Sequence, residues 1–302
     1  MIKFGVAGYP PAYSDTIYKK DRLKVFQWLK EIGIDAFEAQ MTYGPRTLPE
    51  NCRLINQLSK DFDIKVSVHA SYFIVFTSSE KQKIQQSIDT LKRTYELADL
   101  MGSDTIVLHP GPLYGEDPDE PLNRIKDNLS NYFNNAGKSQ IGLFLETAGK
   151  RGQLGSVGEI VDICKEIEGC YPCIDFGHVH ARTGGTLNED DAIDRLFKNM
   201  TDIGTFSNFD RIHFHYTPIH YGPKGEIKHK AIEDVYENES QLSFGFDAPT
   251  NNFYHPRYNR IVENLILKNL DCTVISETHD SQERGAIAMK NHYKKIIENI
   301  LI

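Results

Sequence analysis

Residues 142–178 read GLFLETAGKRGQLGSVGEIVDICKEIEGCYPCIDFGH. The stretch opens on a short apolar run, Gly142 to Thr147, crosses a polar turn, and resumes with apolar residues at helical spacing from Val157 to Ile167. It closes on a second apolar run, Pro172 to Gly177. A strand, an amphipathic helix and a second strand in so short a span make a βαβ unit, whose strands must run parallel.

The same switch recurs in both directions along the chain. Further strands are predicted at Lys3 to Ala7, Ala36 to Met41, Lys65 to Ala70, Thr105 to His109, Arg211 to Tyr216 and Thr273 to Thr278, making eight. Helical spacing fills the intervals at Asp21 to Glu31, Glu80 to Met101, Pro121 to Asn134, Asp190 to Asn199, Pro256 to Leu270 and Ser281 to Ile300, with a weakly patterned segment near Pro49 to Phe62. Eight βα units could form an open doubly wound sheet, but that fold carries a Gly-rich turn after its first strand. Here the first strand runs into GYPPAYSD, and no G-x-G-x-x-G or P-loop occurs. The expected fold is therefore a (β/α)8 TIM barrel, one domain over residues 1–302, a length suited to a fold that typically takes about 250 residues. The long connection from Tyr216 to Tyr254, with GPKGEIKHK and DAPTNNFYHP, has no regular period and reads as a mobile functional loop.

With 40% hydrophobic and 25% charged residues the composition is that of an ordinary globular enzyme. No run approaches the roughly 18 apolar residues of a membrane span, and the start, MIKFGVAGYP, shows neither basic leader nor cleavage site, so a cytoplasmic location is expected. Five scattered cysteines argue against a disulfide framework, and Cys170 and Cys173, although a C-x-x-C, are read as core thiols. The net charge of -8 speaks against a nucleic-acid coat protein but does not exclude a local basic groove.

In a (β/α)8 barrel the active site is built from strand C-termini and the loops that follow. Six successive strands here end in metal-capable residues: His69 in VSVHASY, His109 in IVLHPGP, Glu146 in LFLETAG, Asp175 and His178 in CIDFGHVH, His213 and His215 in IHFHY, and Glu277 in VISETHD. A lone histidine at a strand end is more often a hydrogen-bonded core residue, and a lone carboxylate more often caps the next helix. Repetition over six strands is harder to dismiss. Carboxylates set in contexts as apolar as LFLET and VISET would be costly to bury unless paired or bound to metal. Imidazole and carboxylate together suit zinc.

HASYFIV, VLHPG, LETAGKRGQLGS, DFGH and ISET, in this order, resemble the endonuclease IV family of apurinic/apyrimidinic endonucleases, a branch of the xylose-isomerase-like barrels. The similarity covers most of the chain and is most specific from Val68 to His178. It implies up to three zinc ions, with manganese as an alternative, and hydrolysis of the phosphodiester 5′ to an abasic site in double-stranded DNA. Carried over, His69 and His109 are similar to the ligands of the first zinc, and Glu146 to the carboxylate that bridges the first and second. Asp175, His213 and Glu277 match the second, with His215 a substitute for His213 because the two point to one face. His178 matches a ligand of the third. There the family has an Asp-x-His after strand seven, whereas this chain has Ile227 in the aspartate's place; His229 is carried over and Glu226 stands in for the missing carboxylate. Glu146 and Glu277 are the catalytic candidates, Glu146 helping to orient the attacking water. Tyr72 resembles a residue inserted beside the lesion, and Arg46, Lys150 and Arg151 are candidate DNA contacts. No membrane partner is implied, and a monomer is expected. A metal-dependent sugar isomerase or epimerase on the same barrel is the alternative, since carboxylates on strands five and eight would serve it too.

Overall fold

Each apolar run pairs with the next in chain order. The computed structural model describes residues 1–137, 139–235 and 254–300. Ile2–Ala7 (β1), Ala36–Gln40 (β2), Lys65–His69 (β3), Thr105–Leu108 (β4), Gly142–Glu146 (β5), Cys170–Asp175 (β6), His213–Tyr216 (β7) and Cys272–Ser276 (β8) close into a parallel barrel, with β8 returning to β1. This is the (β/α)8 architecture expected from the sequence. The crossover helices bury their apolar stripes on the barrel's outer surface, where Phe26, Leu29, Leu91, Leu97, Ile160 and Ile261 are fully enclosed. Each such side chain stabilises the fold by about 1.5–3 kcal/mol. Inside the barrel a smaller apolar cluster, Val107, Phe144 and Cys173, separates the two ends.

Several boundaries differ from the sequence reading. The run after Pro172 leaves the barrel at Asp175, because Asp175 caps a short helix, Phe176–Arg182, by accepting a hydrogen bond from the His178 amide at 2.6 Å. Apolar Phe176 belongs to that helix, not to the strand. The weakly patterned segment is a full helix, Pro49–Phe62, started by its proline. The connection after β7 is not an unpatterned loop over its described part: Ile219–Gly222 and Gly225–His229 form an antiparallel hairpin. Its period is concealed by a bulge between His220 and Tyr221. Residues 236–253, which include most of DAPTNNFYHP, lie outside the described residues. All five cysteines are buried free thiols.

Candidate metal centre

Side chains alternate across a strand, so the register decides which residues share the barrel lumen. Across β6 and β7, Asp175 lies opposite His215, and Cys173 lies opposite His213. His215 therefore sits at the mouth beside Asp175, and His213 sits one inward step deeper. On the other side Glu146 lies opposite Cys173, and Gln40 opposite His69. The mouth of the barrel thus collects His69, His109, Glu146, Asp175, His215 and Glu277.

Glu146 is the hub. It is fully buried. Its Oε2 lies 3.1 Å from His69 Nε2 and 3.4 Å from His109 Nε2, while its Oε1 lies 3.2 Å from both His178 Nδ1 and His215 Nδ1. Donor atoms of Glu146, Asp175, His215 and Glu277 lie within 4.8 Å of one another, as do those of His69, Glu146 and His215. A third set, His178, Glu226 and His229, meets the same limit, with Glu226 Oε2 3.7 Å from His178 Nε2 and Oε1 3.6 Å from His229 Nε2. The hairpin is held over the mouth by Glu226 donating its amide to the Gly149 carbonyl and Arg151 donating to that of Lys224, both at 3.0 Å. Two glycines make this approach possible. Gly225 has φ +93°, and a side chain at Gly149 would stand 2.8 Å from the Glu226 Cβ.

The imidazoles share one arrangement. His69 Nδ1 can donate to the Ala70 carbonyl at 3.0 Å, His178 Nδ1 to that of Thr147 at 2.9 Å, and His229 Nδ1 to that of Glu277 at 3.1 Å. In each case the other nitrogen faces a carboxylate, and either a proton on that nitrogen or a cation between the two satisfies the pair. Once deprotonated, these nitrogens turn lone pairs into the same space as the carboxylate oxygens, and such a mixed imidazole and carboxylate donor set fits divalent metal. Two buried atoms point the same way. Among the described residues, Asp175 Oδ2 and His109 Nδ1 have no hydrogen-bond partner.

The protonation balance is also set locally. Burial would raise the Glu146 carboxyl, yet His109, His215 and His178 hold it well below the usual carboxylate range. Burial opposes charge on His69, but Glu146, with Glu38 and Glu277 beyond, raises it to about 9. His109 goes the other way, to about 3, because burial dominates. Burial and the neighbouring Glu146 raise the Glu277 carboxyl.

The structure separates the two histidines of strand seven. His213, the sequence choice for the second ion, is drawn away by Glu38, whose Oε2 lies 3.1 Å from its Nε2. His215 takes the place expected of it, 3.4 Å from Glu277 Oε1 through Nδ1. The cause is depth along the strand: His213 lies one inward residue before His215, which is the one paired with Asp175, and so reaches Glu38 rather than Asp175 and Glu277. Glu38 escaped the sequence reading, although a glutamate flanked by apolar residues in the strand run AFEAQ was a signal for it. The candidate DNA contacts lie on the mouth loops. Tyr72 is 59% exposed and stacks on His109 at 5.8 Å and 16°. Lys150 and Arg151 are exposed beside the hairpin, Arg151 donating to the Arg182 carbonyl at 3.0 Å, and Arg46 is exposed on the loop after β2. Tyr43 and Phe73, which the sequence reading passed over, are exposed on the same face.

The fold and its donor-lined mouth define the class of (β/α)8 barrels with a candidate metal centre, and the chain belongs to the family described as xylose isomerase-like TIM barrel, whose family model matches residues 26–290. Among its relatives, an uncharacterized protein of Methanocaldococcus jannaschii is 26% identical over 246 residues, covering 81% of this chain and 85% of its own length. A protein of Ureaplasma urealyticum serovar 10 named probable endonuclease 4 is 27% identical over 244 residues, 73% of this chain and 77% of its own. Solved structures of the same fold include a D-tagatose 3-epimerase-like protein, with TM-score 0.66 and 18% identity over 99% of this chain and all of its own. Endonuclease IV from Thermus thermophilus superposes with TM-score 0.63 and 15% identity over 99% of both chains. The same fold thus occurs in proteins named as endonucleases and in proteins named as epimerases. Among the described residues no helix is long and apolar enough to cross a membrane.

Proposed function

We propose that the chain is a zinc-dependent hydrolase of DNA phosphodiesters that cuts 5′ to abasic sites. The observation that carries the reading is the third donor set. His178, Glu226 and His229 converge beside a centre already supplied with Glu146, Asp175, His215 and Glu277, which is more than a one- or two-metal isomerase requires. The relatives named probable endonuclease 4 support the same reading.

Divalent ions clustered in this way supply a water of lowered pKa and neutralise charge on the attacking and leaving oxygens of an in-line displacement. The residues divide the work of holding them. Glu146, with His69 and His109 near one oxygen and His178 and His215 near the other, would be shared between the first and second positions. Asp175, His215 and Glu277 complete the second. His69 and His109 complete the first, and Glu226 takes the third-site role of the absent aspartate. Glu146 and Glu277 would orient the attacking water. Tyr72, Tyr43 and Phe73 offer flat faces around the mouth on which exposed bases could stack, and Lys150, Arg151 and Arg46 offer charge for phosphates. A site for a free sugar has no need of so broad a rim.

Sugar epimerisation is the second reading, favoured by one observation: Glu146 and Glu277 face each other from β5 and from the end of β8, a pair suited to moving protons on either side of a bound polyol. A single assay separates the two. The zinc-loaded protein is incubated with duplex DNA carrying one abasic site and, in parallel, with ketohexoses. Nicking 5′ to the lesion with no change in the sugars supports the endonuclease; epimerised sugar with intact duplex overturns it.

A further inference from the structure

We propose that Glu38 is a positioning residue of the metal centre, anchoring Nε2 of His215 so that Nδ1 is presented to the ion held with Asp175 and Glu277. The inference rests on the metal occupancy proposed above and is independent of the substrate.

Glu38 is fully buried beneath the donor ring. Ser67 donates to its Oε2 at 2.9 Å and Gln40 to its Oε1 at 3.2 Å. His213 Nε2 lies 3.1 Å from Oε2, and His215 Nε2 lies 3.2 Å from the carboxylate. Both oxygens are therefore held by side chains of strands β2, β3 and β7, and the carboxylate cannot rotate freely. His213 packs edge-on against His215, with ring centroids 5.2 Å apart at 75°. Its place is thus explained: it braces Glu38.

His215 then lies between two carboxylate groups, Glu38 at Nε2 and the pair Glu146 and Glu277 at Nδ1. A neutral imidazole has one N–H and one lone pair. With an ion at the mouth, the N–H must go to Glu38 and the lone pair to the ion. A carboxylate behind a ligating histidine fixes its tautomer and orientation and raises its basicity. His69, His178 and His229 are anchored by backbone carbonyls, whereas His215 is anchored by a buried carboxylate. The second-ion pocket is therefore the one whose affinity this chain sets from below.

The test uses the full-length protein and zinc alone. Glu38→Gln keeps the shape of the side chain and removes its charge. Chelator competition should show affinity at one zinc position reduced about 10- to 100-fold, the usual cost of losing such an outer partner. In a His215→Ala background the same substitution should change affinity by less than about twofold, as for independent sites. Imidazole nitrogen NMR of the zinc-loaded wild-type protein, which needs no variant, should show His215 protonated at Nε2 and metal-bound through Nδ1. Unchanged affinity in Glu38→Gln, an equal loss without His215, or metal on Nε2 of His215 would each overturn the role of Glu38 while leaving the metal site standing. Failure of the wild-type protein to take up zinc would overturn the metal reading and this inference together.

Discussion

The two ends of the barrel both gather charge, and they resolve it differently. At the N-terminal end of the strands Asp104 is met by Lys65 at 3.4 Å and Arg211 at 3.7 Å, while Arg211 also donates to the Asp104 and Gln140 carbonyls and covers the Phe144 and Tyr171 rings at 5.2 and 5.0 Å. Burial alone would raise the Asp104 carboxyl, but Thr105, Lys65 and Arg211 bring it below its ordinary value. Asp104, Lys65 and Arg211 thus satisfy one another within the protein. At the C-terminal end, carboxylates and imidazoles surround a common space, with Asp175 Oδ2 left without a partner among the described residues. The lesson is that charge alone does not mark a site; charge arranged around a gap does.

The sharpest way to break the comparison is to remove the hub. Glu146→Gln should lower zinc affinity by at least about 100-fold and abolish turnover, because a neutral amide cannot serve two ions at once. The fold should persist, as judged by circular dichroism. Near-normal zinc content in a folded Glu146→Gln protein would mean that the mouth, like the base, balances its charge without metal. Stability should divide along the same line. Removing zinc present at about 100 times its dissociation constant should cost about 2.7 kcal/mol and lower the Tm by about 5 °C or more. Arg211→Ala, at the other end, should cost about 1–2 kcal/mol through lost pairing and ring contact, with zinc content unchanged. Zinc loss in Arg211→Ala would show that the two ends are not independent.

A smaller change sharpens the picture within the mouth. Glu226→Gln should reduce the zinc count by one and leave the other two, since Glu226 contacts the His178 and His229 pocket alone. Loss of all three would make the hairpin a support for the whole cluster. The smallest effect is expected at the rim, where Tyr72→Ala should weaken binding to an abasic duplex by about 1–3 kcal/mol without moving the Tm. A fall in Tm with unchanged affinity would assign Tyr72 to packing over His109.

Much of this was legible in the sequence. Apolar runs alternating with helical spacing disclosed the barrel, and the recurrence of histidine and carboxylate at strand ends disclosed its mouth. What stayed hidden depended on depth and register. His213 and His215 share a face and differ by one inward step, and sequence spacing alone cannot say which step is level with Asp175. Glu38 stands out as a carboxylate in the apolar run AFEAQ, but only the closing of β2 against β3 and of β7 across the lumen brings it under His215. The strand reads as running on to Gly177 because Phe176 and Gly177 continue the apolar run, although Asp175 ends it and turns the chain into a helix. The hairpin bearing Glu226 and His229 was obscured by its bulge, so its ordered seat over Gly149 could not be read from hydrophobic period.

If the proposed function is right, the mouth takes up a cluster of ions, one in each of three neighbouring donor sets. Anomalous diffraction at the zinc edge, on crystals of protein loaded with zinc and washed free of excess, tests it most directly. Three peaks are expected: one by His69 and His109, one by Asp175, His215 and Glu277, and one by His178, Glu226 and His229. An absence of peaks, or a single peak away from Glu146, would contradict the account.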